Sequence, residues 1–318
     1  MENKVITEKS EILFLYEGIY NEPNGDPFTG EQRYDEETKK ILISDVRIKR
    51  YIRDYINQND KTEDIYVILD RSNVSKDGKE TGSEARIKTL KKKFEKLPAT
   101  EVLKKCIDVR LFGGISTEDK DSVNLTGPVQ FALLNPSLNK IDLRMHQNTS
   151  VFPSKMKTTG GEEQRGTIGT KTVVPYSINQ IHGWVNPKSA INTGLTDADK
   201  TKMFKSLWRG LEDINTRTKA GQYPVLLLEI IYAKDTNKIY RSDQLIKIET
   251  TDNLNEEQIR SRDNYKFKFD EIIKISETTK IEKVRFYTEI QNIEKEFKDG
   301  EKLKNKFEKM NFESNSAK

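Results

Sequence analysis

Asn21-Glu22-Pro23-Asn24-Gly25-Asp26-Pro27 divides a short apolar run from a basic amphipathic segment, and that succession sets the reading of the fold. Upstream, Ile12-Leu13-Phe14-Leu15-Tyr16-Glu17-Gly18-Ile19-Tyr20 is rich in β-branched and aromatic residues and reads as a strand. Downstream, the segment from Ser44 to Ile56 reads as a helix, with Ser44 suited to the N-cap and Asp45 to the positive end of the dipole. At 100° per residue, Ile48, Tyr51, Ile52 and Tyr55 share one side with Ile56 at its margin, while Arg47, Lys49, Arg50 and Arg53 share the other. Val46 is the misfit. A strand, a Gly/Asn/Pro loop and a cationic helix face together make a cradle for a phosphate backbone. The plain alternative is a solvated helix face.

At 318 residues the chain can bury a sizeable core, yet 34% hydrophobic and 33% charged residues lean polar, which predicts solvated insertions or extended partner surfaces. The net charge of +4, from 55 basic and 51 acidic residues, does not mark a nucleic-acid binder, so any electrostatic footprint is local. Lys39, Lys40, Arg47, Lys49, Arg50 and Arg53 form such a footprint, with Asp45 the lone acidic residue among them. Cys106 is the only cysteine, which excludes an intramolecular disulfide and a cysteine-cluster metal site. No apolar run reaches the length of a membrane span, so a cytoplasmic location is expected, with no membrane partner.

Further along, residues 57–64 are turn-like and Ile65–Leu69 suggests a short strand. Ser72–Ser83 suggests an exposed loop, and Glu84–Leu97 a helix stopped by Pro98, so 57–107 reads as a largely helical insertion. Leu125–Leu134 is strand-like around Pro128, which argues against a central paired position there. Gln147–Thr167, with Gly160-Gly161 near its middle, is the longest irregular stretch and reads as a functional arm leading into a β-rich Thr167–Val174. Asp197–Asp213 is a helix carrying Met203, Phe204, Leu207, Trp208 and Leu211 on one face, and Pro224–Tyr232 is a buried-type strand. A polar linker at 251–264, two short strands within Tyr265–Glu289, a helix over 288–310 broken near Gly300 and a disordered Asn311–Lys318 complete the expectation.

Several groups carry the chemistry of phosphate recognition: Asn24, Gly25 and Asp26 in the loop, Ser44, and the cations of the first helix. Phe112-Gly113-Gly114 sets an aromatic beside two glycines that permit close backbone approach. The arm adds Lys155, Met156, Lys157, Arg165 and Lys171, with Phe152 and Met156 as wedges between bases. Asn215, Arg217, Lys219 and Gly221 form a basic turn, which alone is an ordinary helix C-terminus favouring cations. For catalysis, His146 and His182 lack metal-pair spacing and read as structural. Asp26 beside Gly25 suits metal-assisted chemistry, although Asn-Gly-Asp-Pro is also an ordinary turn.

Taken in order, the Asn21–Pro27 loop, Cys106–Gly114, Leu125–Phe131, Val173–Tyr176 with His182–Val185, and Asn215–Gln222 resemble the crRNA-binding backbone subunit of type I CRISPR Cascade complexes, most like subtype I-B. The resemblance runs from about residue 11 to about residue 232. Glu22 departs from the asparagine usual there in the family. The resemblance implies an α+β fold: a ferredoxin-like or RNA-recognition-type antiparallel sheet (palm, 1–250) with helical fingers at about 57–107 and a β-hairpin thumb at about 147–172. Residues 251–318 would be an extension packed on the palm. It implies a non-enzymatic role without cofactor or metal: several copies stack along the crRNA spacer and present it for pairing with a strand of invading DNA. The implied partners are crRNA, the target DNA strand, copies of the same chain, the complex's large subunit, its repeat-handle-binding subunit and a recruited nuclease-helicase. Two alternatives stand beside it: a metal-dependent RNA endonuclease using Asp26, and an RNA-binding module unrelated to CRISPR.

Overall fold

The computed structural model describes residues 4–68, 83–95, 97–116, 122–150, 167–298 and 305–312. In chain order the elements begin β1 (Ser10–Asn21), β2 (Tyr34–Asp35), β3 (Lys40–Ser44), α1 (Asp45–Asn59), α2 (Ser83–Lys93), α3 (Ala99–Lys104) and α4 (Ile107–Phe112). Next come β4 (Gly113–Ser116), β5 (Val123–Thr126), β6 (Val129–Phe131), β7 (Leu134–Pro136), β8 (Arg144–Ser150), β9 (Thr167–Val185), α5 (Pro187–Thr193) and α6 (Asp197–Glu212). The last are β10 (Gln222–Tyr232), β11 (Lys247–Thr250), β12 (Tyr265–Lys268), α7 (Asp270–Ser276), β13 (Ile281–Tyr287), α8 (Gln291–Lys298) and β14 (Phe307–Lys309).

A 7-stranded sheet runs β14-β13-β10-β1-β9-β6, with β8 paired to β9. Its pairings are antiparallel except β13 with β14. The unbroken apolar run of β1 follows from burial on both faces. Ile12, Phe14 and Tyr16 meet α1 and α6 residues such as Ile52, Phe204 and Trp208, whereas Leu13 and Leu15 meet Leu226, Leu228, Phe286 and Phe297. Gly210 lets α6 approach α1 closely, since a Cβ there would lie 2.6 Å from the Tyr51 carbonyl oxygen. The architecture is mixed α+β around a mainly antiparallel sheet, as the resemblance leads one to expect.

Several expectations need correction. Residues 65–68 form bends, not a strand, because the Tyr66 and Val67 N–H groups donate to the Asp108 carboxylate and leave the chain no ladder to join. α2 ends at Lys93, before Pro98, and Pro98 instead precedes α3 as its N-cap residue. Gln147–Ser150 are strand, paired through Ser150 with Thr167. The 251–264 segment is not a bare linker: it holds 3-10 turns at Glu256–Gln258 and Arg262–Asn264, and Ile259 is fully buried. A helix, α7, lies between the two short strands expected within 265–289. The 288–310 region holds α8 and then the strand β14, where Phe307 fills the core beside Phe297. Phe312 is buried against Tyr287, so order reaches beyond the expected start of the tail, and 313–318 lie outside the described residues.

Candidate nucleic-acid interface

The loop after β1 is anchored at both ends. The Asn21 side chain donates to the carbonyls of Ala220 and Gly221 at 3.1 and 2.9 Å, tying the strand's end to the turn before β10. Asn24 takes the Gln32 side-chain oxygen on its N–H (2.9 Å), and Ser44 Oγ donates to Asn24 Oδ1 (3.1 Å). Ser44 does occupy the N-cap of α1, but its side chain makes no capping bond. Asp26 is held by both oxygens: Oδ1 accepts the Phe28 N–H at 2.8 Å, and Oδ2 pairs with Arg33 at 2.9 Å.

Glu22, which is buried, is the hub of this corner. Lys171 of β9 pairs with its carboxylate at 3.2 Å and donates to the Gly30 carbonyl at 3.0 Å. Lys219 donates to the Glu22 backbone oxygen and stands 3.9 Å from its carboxylate. Burial pushes the Lys219 ammonium down to about 8, the nearby charge of Arg47 pushes the same way, Glu22 opposes, and Lys171 adds to the depression. Lys171 and Lys219, from a strand and a turn, thus meet at one carboxylate, and Arg47 of α1, its guanidinium over the Tyr51 ring, is near enough for its charge to act on Lys219. The local excess of positive charge suits an anion.

The other expected residues are placed differently. Arg53 pairs at 2.9 Å with Asp108, whose side chain is 1% exposed. Lys49 pairs with Asp45 at 2.9 Å, and Arg50 with Asp54 at 3.2 Å. Much of the α1 cationic face therefore serves ion pairs within the chain, and Arg47 is the member that joins the corner. Phe112 is buried against Phe131, with Lys49 and Arg53 over its ring. Gly113, at φ 81°, sits where a Cβ would lie 2.1 Å from the Leu125 carbonyl oxygen, so the close approach is between β4 and β5. Gly114 continues β4, and Arg217 is exposed in the turn before Lys219. Lys155, Met156, Lys157 and Arg165, with Phe152, lie outside the described residues.

The charge balance of the 39–53 segment is not readable locally because its partners are remote in sequence: Asp108 for Arg53, and Asp142 for Lys39 at 3.1 Å. Sequence reasoning also missed Glu22 as a hub and Gln32 and Arg33 as supports, since each acts through a contact that only folding creates. His182 is structural, its Nε2 lying 3.1 Å from Glu11 and 3.0 Å from Ser242. Burial opposes ionisation of Glu11, but bonds from His182 and Ser242 prevail and hold its carboxyl below the ordinary value. Burial pushes the Cys106 thiol up to about 12, aided by Asp108 and Asp64. Among the described residues no group of His, Cys, Asp or Glu is arranged to hold a metal ion, and no helix is long and apolar enough to cross a membrane.

Fold and corner together define a mixed α+β protein with a cationic loop cluster at one end of its central strand. The family model for CRISPR-associated protein Cas7 matches residues 8–270, and the chain belongs to that family. A CRISPR-associated protein Cas7 of Haloferax volcanii is 29% identical over 269 residues, spanning 76% of this chain and 75% of its own. A solved chain described as a CRISPR RNA-guided surveillance complex matches with a TM-score of 0.50 at 14% identity, covering 96% of this chain and 95% of that one. That likeness is one of fold.

Proposed function

We propose that this chain is a non-catalytic, crRNA-binding backbone subunit of a Cascade surveillance complex. The observation that carries the proposal is the meeting of Lys171 and Lys219 at Glu22 in the loop after β1, with the charge of Arg47 close to Lys219, in a chain matched by the Cas7 family model along most of its length. Such a corner grips phosphate without reading sequence. The palm is residues 1–250, with fingers at about 57–107, a thumb at about 147–172 built on the β8–β9 ladder, and 251–318 packed on the palm. Several copies line the spacer, and the exposed bases pair with a strand of invading DNA, so that pairing reads sequence while the protein reads shape and phosphate. The large subunit, the repeat-handle-binding subunit and a nuclease-helicase are the further partners, and the setting is the cytoplasm. Asp26 is a positioning residue in this reading, because both of its carboxylate oxygens are already engaged.

The test is a salt titration of RNA binding. Arg47→Ala with Lys171→Ala is expected to weaken unrelated guide sequences alike and to reduce the slope of log affinity against log salt by about 0.7 for each phosphate the two side chains neutralise. Unchanged affinity and slope would return both side chains to a purely structural role.

A further inference from the structure

Phe28 is 96% exposed, more than any other large apolar side chain among the described residues. A lone exposed apolar side chain is ordinary on a protein surface; what sets Phe28 apart is that its turn is fixed in place and tied to a cationic corner. The turn that carries it is closed by several bonds. The Asp26 N–H donates to the Glu31 carbonyl at 2.7 Å, the Gly30 N–H to the Asp26 carbonyl at 2.8 Å, and the Phe28 N–H to Asp26 Oδ1 at 2.8 Å. Lys171 reaches the same turn through the Gly30 carbonyl while pairing with Glu22. The turn that carries the exposed ring is therefore tied to Lys171, which with Lys219 meets the Glu22 carboxylate.

We infer that Phe28 is a base-stacking residue, whose ring takes the face of an unstacked nucleobase in the strand whose phosphates the adjacent corner holds. The inference rests on the RNA-binding reading above. A single-stranded RNA presents the two chemistries this surface offers side by side: anionic oxygens for the ammonium and guanidinium groups, and a flat π face for the ring. A protein partner fits less well. Stable protein interfaces bury about 800 Å² on each side around an apolar centre. The turn's other exposed residues, Pro27, Thr29, Gly30 and Glu31, add no second large apolar side chain.

The experiment measures binding of the full chain to an RNA short enough to hold one copy, across a range of salt. Phe28→Ala is expected to weaken binding about 5- to 150-fold, the range for losing one base–aromatic stack, with the salt slope unchanged. Phe28→Tyr keeps the π face and restores affinity, whereas Phe28→Leu does not. Tyr240→Ala serves as the control, since Tyr240 is 89% exposed but precedes Ser242, which bonds Glu11 at the opposite end of β1. Ultraviolet crosslinking should join the RNA to the peptide containing Phe28. Wild-type affinity in Phe28→Ala overturns the inference, and a defect confined to multi-copy assembly on a long guide would set the ring against protein instead. If the folded wild-type chain binds no RNA, the RNA-binding reading itself fails, and the wild-type arm shows that separately.

Discussion

With RNA bound at this corner as proposed, RNA affinity is expected to depend on pH between about 7 and 9 through Lys219. Its side chain is 7% exposed, and its ammonium is pushed from 10.5 down to about 8 by burial first, then by Arg47, against the pull of Glu22. A phosphate placed at the corner supplies the missing negative charge and returns the group toward its ordinary range. Binding then favours the protonated form, so affinity is greatest below about 8 and falls as pH rises through that value. At pH 9 only about one free molecule in ten carries the proton, and recovering it costs about tenfold in affinity relative to pH 7. Stability of the free chain moves the other way. The folded state holds this proton less tightly than the unfolded chain, so the destabilisation is fully present below about 8 and is relieved between about 8 and 10.5. At ~1.4 kcal/mol per pH unit the relief is about 3 kcal/mol from this group alone. Fluorescence anisotropy with an oligonucleotide of adenosine and cytidine, which itself does not titrate in this window, measures the affinity. Lys219→Arg should flatten the profile. An affinity constant from pH 7 to 9 in the wild type, or a slope that persists in Lys219→Met, would refute the reasoning.

Arg53→Ala strands the buried Asp108 carboxylate and is expected to cost about 3 kcal/mol in urea denaturation; a loss below ~1 kcal/mol would show that the backbone N–H donors of Tyr66 and Val67 suffice. Gly113→Ala drives a methyl group against the β4–β5 backbone at a left-handed φ, and destabilisation by more than about 2 kcal/mol or failure to fold is the expected outcome on thermal melting. Complementary RNA incubated with the assembled complex and magnesium or manganese should stay intact, and cleavage that Asp26→Asn abolishes would favour the nuclease alternative.

The elements with strong local patterns were legible in the chain itself. β1 and β10 read as strands because each carries a run of four or more consecutive apolar residues, Ile12–Tyr16 and Val225–Leu228, and α6 because Met203, Phe204, Leu207, Trp208 and Leu211 fall on one helical face, all buried. Pro128 argued against a central paired position within Leu125–Leu134, and it falls in the gap between β5 and β6. The C-terminal region was less legible because its strands gain meaning from remote partners: β14 is a short strand that exists by pairing with β13, and neither shows a long period of its own. The candidate site divides in the same way. Lys171 and Lys219 announce themselves as cations, but that they meet at Glu22 depends on contacts spanning 149 and 197 residues of sequence. The reverse held for Arg53, whose local setting suggested a surface role while long-range packing gave it a partner inside the chain; Phe112, readable equally as core, is core.

The most direct test of the central claim is to purify the tagged chain from cells that express a CRISPR array with its companion subunits, and to sequence the RNA that comes with it. Spacer-bearing guide RNA of uniform length, protected from nuclease in regular steps, is the predicted result. A mixture of unrelated cellular RNA, or none, would contradict a backbone role on the guide.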